Sequence, residues 1–192
     1  MRFDGIQYRC RTWLVAVSFC LLSCLLPQPA SSQTAKAEEY EVKAAFLLNF
    51  AKFVRWPETN NEIRICVLGD DPFGAVLDRM AGGMIIEGRP ILLERMQQPH
   101  GARRCHIVFL SPSLRDKTQV ALDSLRGGSI LTVGETSDFT RVGGIIRMVL
   151  AGSRVQFQIN VDAAERAKLN ISAKLLSLSQ IVHDADKKDG GG

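Results

Sequence analysis

Residues 63–80 read Ile63-Arg-Ile-Cys-Val-Leu-Gly-Asp-Asp-Pro-Phe-Gly-Ala-Val-Leu-Asp-Arg-Met80. The first six form a short, mostly apolar run with β-branched side chains, which predicts a buried strand. Gly69 to Pro72 favours a turn, and Asp71 supplies a capping carboxylate beside a proline suited to the first position of a helix. The apolar side of that helix consists of Phe73, Val76, Leu77 and Met80. A strand, a turn and a helix in succession are typical of an α/β sheet.

The same alternation continues on both sides of this unit. Upstream, residues 38–55 predict a helix that Pro57 ends, with an apolar stripe made by Val42, Phe46, Phe50 and Phe53. Downstream, we expect helices over 114–125, 163–169 and 172–183, and strands over 89–96, 105–110, 129–133, 145–150 and 155–160. The last two strands are joined by four residues, which is a hairpin length. We therefore predict an α/β fold, a three-layer α/β/α sandwich whose mostly parallel sheet has an antiparallel edge hairpin.

The composition is that of one ordinary globular domain. The chain has 192 residues, 46% hydrophobic and 23% charged, which argues against a disordered chain, a fibre or a protein with many membrane spans. Its formal net charge is +4, with 24 basic and 20 acidic residues. Removing the leader described next takes away Arg2, Arg9, Arg11 and Asp4, so 21 basic and 19 acidic residues remain. A nucleic-acid binder concentrates basic charge, so nucleic acid is not expected as a partner.

Residues 1–32 have the order of a secretory signal peptide. Three arginines lie before an uncharged run over 13–26, and small residues follow the run. The run is shorter than the about 20 apolar residues that a spanning helix needs. Arg9 and Arg11 are separated by Cys10, so no twin-arginine signal is present and we expect the general secretory route. Cleavage is predicted after Ser32, with Ala37 as the second choice.

Two other interpretations of the leader stay open. It is an uncleaved anchor in one of them, and a lipoprotein signal in the other. The lipid-attachment box would then be Leu21-Leu-Ser-Cys24, although Leu22 fits that position poorly. In the preferred interpretation the mature chain forms a single domain over residues 33–183. Residues 184–192 contain no large apolar side chain and are predicted to be a disordered tail.

Cleavage would leave only two cysteines, Cys66 and Cys105. In an oxidising compartment, two thiols favour one disulfide. Closing a loop of about 40 residues would stabilise the fold by roughly 4 kcal/mol in the chain-entropy model. Two buried free thiols are the alternative. Neither cysteine belongs to a Cys-X-X-Cys pair, so thiol-disulfide oxidoreductase chemistry is not expected.

The sequence offers no catalytic constellation. The turn after residue 68 lacks the glycine pattern and the lysine of a phosphate loop, and the three histidines have no metal-ligand spacing. We therefore predict no catalytic residue, no metal and no cofactor. Arg55 and Trp56 are the candidate ligand- or partner-binding residues, because arginine and tryptophan at a helix end can clamp an anionic or aromatic group or anchor an interface. In the alternative interpretation Trp56 closes the edge of the core and Arg55 is only solvated.

Five blocks of this chain resemble the YfiR family of exported bacterial regulators. The resemblance covers the mature chain from Glu39 to about Val182. The first block reads Val42-Lys-Ala-Ala-Phe-Leu-Leu-Asn-Phe-Ala-Lys-Phe-Val-Arg-Trp-Pro57 and the second Ile65-Cys-Val-Leu-Gly-Asp-Asp-Pro-Phe-Gly74. The others are Cys105-His-Ile-Val-Phe-Leu-Ser111, Gly143-Gly-Ile-Ile146 and Phe157-Gln-Ile-Asn160.

The resemblance implies a periplasmic α/β/α domain that forms a homodimer. It further implies that the domain binds the periplasmic part of an inner-membrane diguanylate cyclase and lowers cyclic di-GMP and biofilm formation. Release of that restraint would belong to an outer-membrane lipoprotein or to redox stress. Cys66 and Cys105 match the structural disulfide of the family. Some members carry a second cysteine pair near the Gly143 block, and residues 136–147 of this chain contain no cysteine.

Two other classes of function compete with this one. In the first, the protein is a periplasmic solute-binding module in which Arg55 and Trp56 face a small anionic or aromatic molecule. In the second, it is an exported enzyme, which the lack of a nucleophile, base or metal pattern makes the weaker hypothesis.

Overall fold

The computed structural model describes residues 31–57, 60–152 and 154–184, with side chains from Thr34 onward. The chain divides into two units by its internal contacts, Met1–Ala35 and Lys36–Gly192, and the fold below is that of the second. Apart from Ser31, Ser32 and Asp184, the predicted signal peptide and tail lie outside the described residues. Within the part described, no helix is long and apolar enough to cross a membrane.

Ten strands and five α-helices occur in the described part of the chain. The helices are α1 (Ser31–Phe53), α2 (Ala75–Ala81), α3 (Thr118–Leu125), α4 (Val161–Arg166) and α5 (Ala173–Leu176). The strands are β1 (Val54–Arg55), β2 (Ile63–Leu68), β3 (Ile85–Ile86), β4 (Arg89–Met96), β5 (Ile107–Leu110), β6 (Leu131–Gly134), β7 (Ile146–Ala151), β8 (Arg154–Asn160), β9 (Asn170–Ile171) and β10 (Gln180–Val182). Two 3₁₀ segments, Pro99–Arg104 and Pro112–Lys117, flank β5.

Eight of these strands form one mixed sheet in the order β10-β8-β7-β6-β5-β2-β4-β3. The five strands from β7 to β4 in that order run parallel, and β8 and β3 pair antiparallel with their neighbours β7 and β4. The strand predicted over 63–68 is therefore an interior strand, with β5 on one side and β4 on the other. The remaining two, β1 and β9, form a separate antiparallel pair.

The alternation of side chains along β2 separates two hydrophobic layers. Ile63, Ile65 and Val67 are fully buried in the core that α1, α2, α4 and α5 cover. Cys66 and Leu68 point to the other face, where α3 and the Pro99–Arg104 segment cover a second core. Helices on both faces of a mostly parallel sheet confirm the predicted α/β/α sandwich.

The C-terminal part of the domain differs from the sequence prediction. A helix was expected over 172–183, but the helix α5 ends at Leu176 and the strand β10 follows at Gln180–Val182. Because β10 pairs parallel with β8, it lies outside the β7–β8 hairpin, and that hairpin is one strand in from the edge. The reason is tertiary: the edge of β8 offers unpaired backbone groups that residues 180–182 satisfy.

Candidate functional site

Cys66 and Cys105 form a disulfide, with their Cα atoms 6.1 Å apart. The pairing that the family resemblance implied is therefore present in the structure, in place of two free thiols. Both residues are buried, Cys66 in the middle of β2 and Cys105 directly after the Pro99–Arg104 segment. The bond thus fastens that 3₁₀ segment to the sheet.

Trp56 packs against His106 at the end of β1. The two rings are edge to face with centroids 5.5 Å apart, and Trp56 Nε1 donates to the backbone oxygen of His106 at 3.2 Å. The sequence predicts a helix that Pro57 ends after Arg55, but α1 already ends at Phe53 because Val54 and Arg55 pair with β9. The indole is only partly buried, so one side of it stays open to a cleft.

His106 is a buried residue with a polar neighbour at each ring nitrogen. Its Nδ1 accepts a hydrogen bond from the Arg64 backbone N–H at 3.1 Å, and its Nε2 lies 3.1 Å from Asn60 Nδ2. Burial lowers the pKa of His106, and the nearby Arg89 and Arg64 charges lower it further, against a smaller opposing effect of Glu62. The imidazole is therefore held neutral as a structural acceptor.

Arg55 lies apart from the Trp56 cleft. Its neighbour Val54 is buried in the core, so the strand alternation of β1 turns the Arg55 side chain outward, where it is 77% exposed. Its nearest charged partner is Glu87, at 3.7 Å. The structure therefore does not bring Arg55 and Trp56 together as one clamp, and a binding role for each stays a prediction.

A basic cleft of about 1180 Å³ lies at the amino ends of β2, β5 and β6. Trp56 and His106 form part of its wall, and its charged lining consists of Arg64, Arg103, Arg104, Arg166, Lys168 and Glu62. Of these residues, Trp56 alone is a binding candidate from the sequence. The pair of adjacent arginines directly before a cysteine and a strand is the signal in the sequence that points to the others.

A buried ion cluster lies at the opposite, carboxyl ends of the strands. The Lys43 side chain of α1 is almost fully buried and contacts the carboxylates of Glu39 and Glu135. Tyr40 donates to Glu135 at 2.8 Å, and burial, followed by this bond to a carboxylate, raises the pKa of Tyr40. The cluster fastens α1 to the loop after β6, so its charges are used structurally.

The turn after β2 is held by hydrogen bonds from its own backbone to nearby side chains. The Asp70 backbone N–H donates to Ser113 Oγ at 2.9 Å, and the Phe73 N–H donates to Asp71 Oδ1 at 2.8 Å. A side chain at Gly69, where φ is +90°, would meet Ser113 Oγ at 2.7 Å. This turn is thus packed against the start of the Pro112–Lys117 segment and leaves no room for a side chain at Gly69.

Among the residues that the structure describes, no group of three His, Cys, Asp or Glu side chains is placed to hold a metal ion. A second cleft of about 950 Å³ adjoins the first and is lined by Arg126, Arg141, Arg166, Asp162 and Asp184 among others. In it, Asp184 pairs with Arg166 and accepts from Asn160 Nδ2 at 2.9 Å.

The fold and the site define a disulfide-bonded α/β domain with a recessed basic surface. A family model described as YfiR/HmsC-like matches residues 40–180, and the chain belongs to that family. This membership confirms the family resemblance that the sequence shows.

Solved structures with a similar fold are distant in sequence. One is described as a conserved domain protein from Vibrio cholerae O1 biovar eltor, with 10% identity, a TM-score of 0.53, and coverage of 74% of this chain and 59% of that one. Another is described as an ABC domain in complex with L-Trp from Streptococcus pneumonia, with 10% identity, a TM-score of 0.49, and coverage of 71% and 59%. The chain thus spans about 59% of the length of both. The Vibrio likeness concerns the fold alone.

Proposed function

We propose that this protein is exported to the periplasm and binds the periplasmic part of an inner-membrane diguanylate cyclase, thereby lowering cyclic di-GMP synthesis. The match of the family model over residues 40–180 is the observation that carries this proposal. The geometry is in keeping with a binding domain, because the charged clusters described above tie secondary-structure elements together. A homodimer, and release of the cyclase by an outer-membrane lipoprotein, are parts of the same proposal.

The restraint acts through differential affinity. A domain that binds the inactive state of the cyclase more tightly than the active state shifts the equilibrium by the difference between the two binding free energies. A tenfold reduction in cyclase output needs only about 1.4 kcal/mol of such a difference. One exposed, well-placed contact residue can supply a large part of it.

Arg55 is the contact residue that we propose. Its guanidinium is largely exposed, and Glu87, its one charged neighbour among the described residues, is too distant for a hydrogen bond at 3.7 Å and is itself half exposed. An exposed pair of this kind contributes little to stability, so the arginine is available for a partner. The solute-binding alternative, with Arg55 and Trp56 facing one molecule, receives no support from this geometry because Arg55 does not line the cleft.

The test is cellular cyclic di-GMP in the source bacterium with and without this gene. The deletion is complemented either by the wild-type chain or by a Leu21→Arg, Leu22→Arg chain, whose interrupted apolar run blocks export. We expect cyclic di-GMP to rise on deletion and to fall back only with the exported form. An unchanged level, in a strain that expresses candidate cyclases, would reject the proposal, and so would full complementation by the export-defective chain.

A further inference from the structure

The basic cleft has more positive than negative side chains in its lining, whereas the mature chain as a whole is nearly neutral. Its lining contains five basic side chains and, among the described residues, one acidic side chain, Glu62. The mature chain as a whole, by contrast, carries 21 basic and 19 acidic residues once the predicted leader is removed. A near-neutral chain therefore places an excess of positive charge in one concave surface of about 1180 Å³.

Three of the five basic side chains already have carboxylate partners. Arg64 binds Glu62 and Glu94, Arg104 binds Glu94, and Arg166 binds Asp184. Counting these three carboxylates against the five cations leaves two positive charges without a carboxylate partner among the described residues, and they belong to Arg103 and Lys168.

Arg103 is held in place without being neutralised. Its Nη1 donates to the Ser124 oxygen and its Nη2 to the Arg126 oxygen, both at 3.0 Å, so it caps the carboxyl end of α3. The contacts use two of its five N–H groups and no carboxylate. The disulfide at Cys105 fixes the backbone two residues later to β2. A guanidinium fixed in this way loses little side-chain entropy when it binds an anion.

Lys168 does not stabilise the fold through its side chain in the described part of the chain. Its side chain makes no hydrogen bond or ion pair there, and it is exposed at the cleft. Its φ is +56°, a left-handed conformation that glycine adopts without steric cost after a helix. A lysine at this position thus brings a charge to the cleft at a small backbone cost.

We propose that this cleft binds an oxyanion group, phosphate or carboxylate, of a small solute, with Arg103 and Lys168 as its charged ligands. The group enters between the Pro99–Arg104 segment and the loop after α4, beside the open side of Trp56. Arg103 supplies directional N–H donors and Lys168 a mobile ammonium, the combination that proteins use for phosphates and carboxylates. This inference is independent of the proposed restraint of a cyclase.

The experiment follows Trp56 fluorescence during titration of the purified full chain. A Trp13→Phe background makes Trp56 the sole tryptophan, since the chain has two. Inorganic phosphate and citrate are titrated separately, each against sodium chloride at equal ionic strength. We expect a saturable change, with a dissociation constant of about 1 mM or tighter, for at least one of the two. The anion that binds more tightly identifies the preferred group.

Two charge reversals locate the site. Lys168→Glu should weaken binding about tenfold, because it replaces an attractive charge with a repulsive one at a partly screened surface. Lys117→Glu is the matched control, since Lys117 is exposed, lines neither cleft and changes the net charge equally. The control should bind as the parent does. A signal that chloride reproduces, no saturable signal, or equal weakening by both variants would each overturn the proposal.

Discussion

The imidazole of His106 shows how one buried residue makes stability depend on pH. Its pKa is lowered from the ordinary 6.5, first by burial and then by the Arg89 and Arg64 charges. The unfolded chain therefore binds a proton at a higher pH than the folded chain does. The stability that the neutral His106 contributes is fully present above pH 6.5. It is lost as the pH falls through the lowered pKa of the folded state, by up to about 1.4 kcal/mol per pH unit.

Urea unfolding measured at several pH values from 7 downward checks this prediction. His106→Asn keeps an acceptor near the Arg64 N–H and removes the titration, so its stability should vary less over that window. His100→Asn, at an exposed position, should retain the slope of the parent. Equal slopes for the parent and His106→Asn would contradict the assignment of a buried, neutral imidazole.

Lys43 is the second residue whose charge is tied to the fold. Replacing it in Lys43→Met leaves the carboxylates of Glu39 and Glu135 close together without their cation. We expect a loss of about 3 kcal/mol in the free energy of unfolding, as for other broken buried pairs. Adding Glu135→Gln should restore part of the loss, because one of the two like charges disappears. The idea fails if Lys43→Met alone unfolds at the same urea concentration as the parent.

At the level of elements, the disulfide joins the Pro99–Arg104 segment to β2 across 39 residues of sequence. The Cys66→Ala, Cys105→Ala variant should lose about 4 kcal/mol of stability, chiefly because its unfolded chain is less constrained. Urea unfolding with and without a thiol reductant measures this. The reduced parent and the double variant should agree with each other, and a reductant-independent midpoint for the parent would contradict the prediction.

The elements differ in how well local sequence predicts them. The helix α1 and the strands β2 and β5 have strong apolar patterns, and each overlaps its expected position. The helix begins at Ser31 and ends at Phe53, against an expected 38–55, and Val42 of its expected apolar stripe is 44% exposed. The strand β10 and the β1–β9 pair were not predicted. Strands of two or three residues are too short to show a hydrophobic periodicity, and they acquire their conformation by pairing with a neighbouring strand. Short edge elements are decided by the partner that pairs with them.

For the whole molecule, the proposed regulatory contact is separable from stability. Arg55→Glu should reduce repression of cyclic di-GMP at least about fivefold, since one interface contact can contribute 1 kcal/mol or more. Its thermal midpoint should stay near that of the parent, because Arg55 is exposed and only weakly paired. Arg115→Glu, at another exposed arginine, serves as the charge-matched control. Full repression by Arg55→Glu would contradict the prediction and show that the partner contacts another surface.

The amino-acid sequence by itself determined the α/β class, the buried strand β2 and the family to which the chain belongs. These follow from periodicity and from long local motifs, which one sequence contains in full. Only the tertiary structure decided that Arg55 and Trp56 face apart and that Arg103 and Lys168, 65 positions apart, line one cleft. Sites assembled across distant segments depend on how the elements pack, and no local pattern records that arrangement.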